Sequence, residues 1–157
     1  MRNTTVVSTL LLVGAILALT PHAGAGQFAG SITALNGNVA IERAGKAIPA
    51  IYGTTLQVGD KLTTDAKSRV TIGLIDGSQV ELTESSTLVL TESVLNPDGS
   101  RASTKVTLLG GLVRSLVRVA AGGAPNFEVH TPNAVAAARG TKFDVSYEKG
   151  QERTLGP

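Results

Sequence analysis

The chain is 157 residues long, 42% hydrophobic and 17% charged, a balance that favours one folded domain and excludes a disordered chain. Its 14 Lys and Arg against 12 Asp and Glu leave a net charge of +2 with no long basic run, so no nucleic-acid partner is expected. Cys is absent, which excludes disulfides, thiolate metal sites and Cys nucleophiles, and 3% aromatics supply a base- or sugar-stacking platform poorly.

The first 25 residues read as a secretory signal peptide. Arg2 provides the positive start, and Val6–Leu19 is nearly all apolar but shorter than the roughly 20 residues of a spanning helix. Pro21 breaks any helix, and Ala23-Gly24-Ala25 offers small residues to a signal peptidase. Cleavage there predicts a mature chain from Gly26, without a transmembrane segment, that is periplasmic or secreted.

The rest reads as short strands and tight turns. Ser31–Leu35 and Asn38–Arg43 flank Asn36-Gly37, a hairpin signal because both residues tolerate positive φ. Lys46–Tyr52 is a weaker strand that Pro49 assigns to an edge or bend. Thr55–Asp60 and Lys61–Thr64 follow. Arg69–Ile75 and Ser78–Glu84 flank Asp76-Gly77, which predicts a type I′ hairpin with Gly77 at positive φ. Val70, Ile72 and Leu74 share one face, as do Val80 and Leu82. Thr87–Val94 keeps the period of two, and Asn96-Pro97-Asp98-Gly99 is a turn by composition. Ala102–Leu109 alternates again. Gly111–Val119 has apolar residues at helical spacing, but its β-branched content favours a strand. Phe127–Thr131, Asn133–Ala138 and Thr141–Tyr147 complete about ten strands. The predicted class is all-β, solenoid-like or sandwich-like, over 26–147. A flexible, polar tail is expected over 148–157, either as a truncated end or as the end of a naturally short domain.

Reactive chemistry is thinly supplied. After the signal peptide the one histidine is His130, read as an outer-face polar residue because no Ser elbow or second His accompanies it. Asp60, Asp76, Glu81 and Glu84 are the candidates for a carboxylate pair, but Asp60 and Asp76 sit in turns, where Asp is common for backbone reasons. Asn96–Ser100 lacks the spaced oxygen ligands of a calcium loop. Gly110-Gly111 lacks the Lys-Ser/Thr of a phosphate loop. Arg114 and Arg118 share a face and offer either a basic partner-binding stripe or a solvated surface. No catalytic residue, cofactor or metal is expected, and the chain reads as a non-enzyme.

Three blocks together resemble the FecR domain. They are Gly53…Leu56-Gln57-Val58-Gly59-Asp60-Lys61-Leu62-Thr63-Thr64, then Ser68-Arg69-Val70…Leu74-Ile75-Asp76-Gly77-Ser78, then Phe127–Val145 with Thr131-Pro132 and Arg139-Gly140-Thr141-Lys142-Phe143. The resemblance runs from about Gly37 to Tyr147. FecR-type regulators carry this domain outside the inner membrane, where it receives a signal from an outer-membrane transporter while a cytoplasmic part controls a sigma factor. This chain shows neither an N-terminal anti-sigma segment nor an internal membrane helix, so the resemblance implies a stand-alone exported FecR domain. It implies an interaction module whose partner is another envelope protein, in signalling or assembly. The rival is binding of peptidoglycan or envelope polysaccharide.

The candidate structural or interaction residues are Asp60, Asp76, Gly77, Thr131, Pro132, Arg139, Gly140 and Thr141. Arg139 stands between two runs expected to be buried, Val135–Ala138 and Phe143–Val145. Two readings stand for it: an exposed partner contact and, favoured by that placement, a buried arginine tying turn carbonyls or a carboxylate, with Asp60 and Asp76 as candidate partners.

Overall fold

The computed structural model describes residues 26–119, 126–148 and 151–155. The expected signal peptide and the glycine-rich stretch at 120–125 lie outside them. The described chain is all-β, as its alternating patterns predict. Among the described residues, no helix is long and apolar enough to cross a membrane. The first strands are β1 (Phe28–Asn36), β2 (Val39–Arg43), β3 (Lys46–Ile48), β4 (Thr55–Gln57) and β5 (Lys61–Thr64). Then come β6 (Arg69–Leu74), β7 (Gln79–Leu82), β8 (Thr87–Leu95) and β9 (Arg101–Leu116). The last are β10 (Phe127–His130), β11 (Val135–Ala138), β12 (Lys142–Glu148) and β13 (Gln151–Leu155). They form a curled, mostly antiparallel sheet in the order β3-β2-β5-β8-β9-β7-β6-β1-β4, with β9 and β10 the parallel pair.

The long strand β9 joins the two halves. Its first part pairs with β8 and β10, and its last part pairs with β7 and β12. The change of neighbours falls at Gly110-Gly111. Gly111 has φ +88, and a Cβ there would meet Ser86 Oγ at 2.0 Å, so glycine is required for the bend. Ser86 Oγ accepts the Leu112 amide at 3.0 Å and donates to Glu84 O, pinning the bend from the side. The predicted break at Gly111 is thus a bend within one strand, and the strand reading of Gly111–Val119 holds as far as Leu116.

The period of two correctly assigns the core faces. Val70, Ile72 and Leu74, then Val80 and Leu82, then Leu88 and Leu90, are buried, and one apolar cluster spans both halves of the sheet. Phe127 and Val129 point into it while His130 faces outward. Each fully buried Leu, Ile or Val contributes about 1.5–3 kcal/mol relative to exposure.

Two turn readings need correction. Asn36-Gly37 does not close a hairpin: β1 pairs with β4 and β6, while β2 pairs with β3 and β5. Gly37 does turn the chain at φ +78, but Ser68 Oγ accepts the Asn38 amide at 2.9 Å and sends the outgoing strand to the other half. The two-residue turn with both φ positive lies at Ala44-Gly45, joining β2 to β3. Asp76-Gly77 does close a hairpin, and Gly77 has φ +80, but Asp76 is not at positive φ. Gly77 N–H donates to Leu74 O at 2.9 Å and Leu74 N–H to Ser78 O at 2.8 Å. That is a three-residue turn with a glycine bulge rather than type I′.

The expected tail contains a further strand. Residues Gln151–Leu155 form β13, antiparallel to β12 from Asp144↔Leu155 to Glu148↔Gln151. An edge strand is recruited by its neighbour's free backbone groups and needs no alternating pattern of its own.

Candidate functional site

Both candidate aspartates turn out to hold arginines, and neither arginine is Arg139. Asp60 leaves the β4–β5 turn with a wholly buried side chain. Its Oδ1 accepts Arg43 Nε at 2.7 Å, and its Oδ2 accepts Arg43 Nη2 at 2.7 Å and the Gln57 amide at 2.8 Å. Arg43 also donates to Thr55 O at 2.9 Å and stays 30% exposed. The hydrogen bonds that Arg43 donates to Asp60 push its guanidinium further up into its charged range.

Asp76 sits in a deeper network. Its carboxylate meets Arg101 with side-chain exposures of only 4% and 2%. Asp76 also accepts the Ser78 amide and hydroxyl, each at 2.9 Å. Ser78 Oγ in turn accepts Arg101 Nη1 at 2.9 Å and the Arg118 amide at 3.0 Å. Arg101 Nη2 donates to Arg118 O at 3.0 Å, and its guanidinium carbon lies 5.9 Å from the Phe127 ring centroid. Arg101 Nε is buried with no hydrogen-bond partner. The guanidinium therefore ties the β6–β7 turn to the chain leaving β9.

Arg139 is exposed and has no ion pair among the described residues, so its reading as the buried arginine is corrected. The premise failed at β11: Val135 is exposed and only Ala138 of that strand is buried. The tripeptide instead wraps the end of β9. Thr141 O accepts the Val117 amide at 2.9 Å, and Gly140 at φ +60 lies so close to Val119 that a Cβ would meet its Cγ2 at 2.3 Å. Thr131 closes the β10–β11 turn, its Oγ1 accepting the Ala134 amide at 3.0 Å, and Pro132 is exposed at the tip.

Sequence reasoning missed Arg43, Ser78 and Arg101. Counting in twos back from Val106 reaches Thr104 and Ala102 and skips Arg101. The register slips between Val94↔Ser103 and Leu95↔Arg101, and this irregularity turns Arg101 inward. A bulge leaves no mark in an alternating pattern, so only the preceding Asp98-Gly99-Ser100 turn hints that the strand begins irregularly.

The outer face carries a charged ladder. Glu81, Arg114 and Asp144 stand side by side on β7, β9 and β12. Arg114 Nε lies 3.1 Å from both Asp144 carboxylate oxygens, and its Nη1 lies 3.5 Å from Glu81. A groove of about 340 Å³ beside it is lined by Lys67, Arg69, Glu81, Glu84 and Arg114, among others. Glu84 accepts the Lys67 amide at 2.8 Å. Of the two readings of Arg114 and Arg118, a continuous basic stripe does not form: Arg114 lies between two carboxylates, while Arg118 is exposed beyond β9. On the other half, His130 Nε2 lies 2.7 Å from Glu128, near the Lys105–Glu92 pair. Among the described residues, no group of three His, Asp or Glu side chains could hold a metal ion.

No curated protein and no solved structure matches the chain. The family model described as FecR protein matches residues 60–155. That range starts at Asp60, covers both the Asp76–Arg101 network and the Arg139-Gly140-Thr141 wrap, and runs through β13. Since it takes in more than half of the sequence, the chain belongs to the FecR protein family.

Proposed function

We propose that this chain is an exported, non-catalytic interaction module that binds another envelope protein in signalling or assembly, outside the inner membrane. The family match over 60–155 carries this reading, because FecR-type domains serve as signalling modules. The signal-peptide pattern of residues 1–25 supports export. The fold supports a binding role: the β4–β5 and β6–β7 turns are each tied down by an ion pair with a buried aspartate, which makes a rigid scaffold for surface contacts.

In vivo crosslinking with capture of the chain from the envelope fraction tests it. One reproducible envelope-protein partner is the expected result. Recovery from the cytoplasm with Met1 retained, or capture of no protein, overturns it.

A second reading, binding of peptidoglycan or envelope polysaccharide, draws on Tyr52. This aromatic is 77% exposed on a turn held by Gly53 N–H to Ile32 O at 2.9 Å and Thr54 N–H to Ile51 O at 3.1 Å. A fixed, exposed ring suits stacking on a sugar face. Pelleting with murein sacculi that Tyr52→Ala abolishes would favour it over the protein-binding reading.

A further inference from the structure

We infer that the end of the molecule where β9 terminates is the docking surface, and that its partner is an acidic segment of protein carrying apolar side chains. This rests on the interaction reading above and names the site within it.

Three exposed cations meet there: Arg118, Arg139 and Lys142. Three packing relations place them together. Arg118 lies over the β6–β7 turn, its side chain 3.1–3.3 Å from where a Cβ at Gly77 would stand. Gly140, next to Arg139, packs on Val119. Lys142 is registered with Leu116 across β12 and β9. None of the three makes an ion pair among the described residues, like Lys46, Lys67 and Arg69 but unlike Arg43, Arg101, Arg114, Lys61 and Lys105. Asp76, the acid on the adjoining turn, is engaged by Arg101, and Asp144 on β12 is engaged by Arg114. The positive charge at this end therefore stands uncompensated by those two acids.

Between the cations lie exposed apolar side chains. Leu116 is 51% exposed and Val119 76%, with Ile75 on the neighbouring turn at 37%. An apolar centre with arginines at its margin is the composition of a protein interface. The backbone beneath is already fixed. Arg101 Nη2 donates to Arg118 O, Ser78 Oγ accepts the Arg118 amide, and Thr141 O accepts the Val117 amide. The buried Asp76–Arg101 pair thus has a second role, holding the cationic end in one conformation before a partner arrives.

The charge complement points to carboxylates rather than lipid. Polybasic lipid recognition uses clusters of about 4–8 cations, and this end has fewer. Two of its three cations are arginines, whose forks match carboxylates in a bidentate way.

The test uses protein purified from the envelope fraction and a fluorescein-labelled synthetic peptide alternating glutamate with leucine, read by anisotropy at low salt. Binding is expected, weakened roughly tenfold or more by Arg118→Glu with Arg139→Glu. Lys142→Glu alone should weaken it in the same direction. Lys67→Glu with Arg69→Glu makes an equal charge change at the groove by β6 and should leave affinity within about twofold. Unchanged melting curves confirm that these exposed substitutions leave the fold intact. No binding, equal loss in both double variants, or binding to phosphatidylglycerol vesicles with none to the peptide overturns the inference. If the envelope partner is captured by the wild type and equally by Arg118→Glu with Arg139→Glu, the docking surface lies elsewhere while the interaction reading stands.

Discussion

The chain contains two Asp-Gly-Ser turns of the same internal design and opposite fates. In the turn at 74–78, Gly77 N–H donates to Leu74 O, Leu74 N–H donates to Ser78 O, and Ser78 donates its amide and hydroxyl to Asp76. In the turn at 96–100, Gly99 N–H donates to Asn96 O, Asn96 N–H donates to Ser100 O, and Ser100 donates its amide and hydroxyl to Asp98. The glycines stand at φ +80 and +81. Yet Asp98 is exposed, while Asp76 is buried against Arg101, the residue that follows the second turn. Local sequence built both turns. What differs is what lies over the carboxylate, and that sets how much each turn contributes.

The comparison breaks most sharply at Arg101. Arg101→Ala should lower stability by about 3–5 kcal/mol, because it strands a buried carboxylate and the Arg118 carbonyl. Urea denaturation reads this directly. Adding Asp76→Asn should recover part of the loss, and a strictly additive double-variant cycle would mean that the two side chains do not act as a pair.

Next in size is the contrast between the aspartates. Asp76→Ala leaves the Arg101 guanidinium buried without its counter-charge, again about 3 kcal/mol or more. Asp98→Ala removes hydrogen bonds that water can replace, so its loss should be much the smaller of the two. Equal shifts in urea midpoint would show that burial does not separate the turns.

The glycines should behave alike. Gly77→Ala and Gly99→Ala each force a Cβ into the left-handed region at about 1–2 kcal/mol. A Cβ at Gly99 meets nothing, and one at Gly77 meets only the flexible end of Arg118, so the two melting shifts should agree closely. A much larger loss at Gly77 would mean that Arg118 is held more firmly than its exposure indicates.

The smallest effect is a pH dependence at Asp98. Ser100's hydroxyl, then its amide, hold the Asp98 carboxyl below its usual 3.8. A depressed carboxyl contributes stability that is fully present above its unfolded value and lost as pH falls through the folded one. Carboxyl-detected NMR titration should therefore place the Asp98 midpoint below that of an unfolded Asp. Ser100→Ala should return it toward 3.8.

The legible part of this protein follows from local rules. Alternation gave the core faces of β6, β7, β8 and β10 because a strand's side chains switch sides at every residue, whatever it pairs with. Thr131, Gly140 and Thr141 were identified as notable positions, and each shapes a turn or a close backbone approach. The expectation of a buried Arg139 rests on its neighbours in sequence, and the exposed Val135 shows that β11 does not share the core as its apolar composition suggests.

By itself the sequence determined an all-β class, its inward faces, the tight turn at each Asp-Gly and the family. These depend on residues close together in the chain, whose φ preferences and alternation act before any long-range contact forms. Only the tertiary structure decided that β2 leaves β1 at Asn36-Gly37, that β9 bends through both halves, and that Arg101 rather than Arg139 meets Asp76. Those outcomes depend on which distant strand supplies the next backbone hydrogen bonds and on a single slip of register. Side-chain type does not encode either one, so the same Asp-Gly-Ser letters make a solvated turn in one place and a buried ion pair in another.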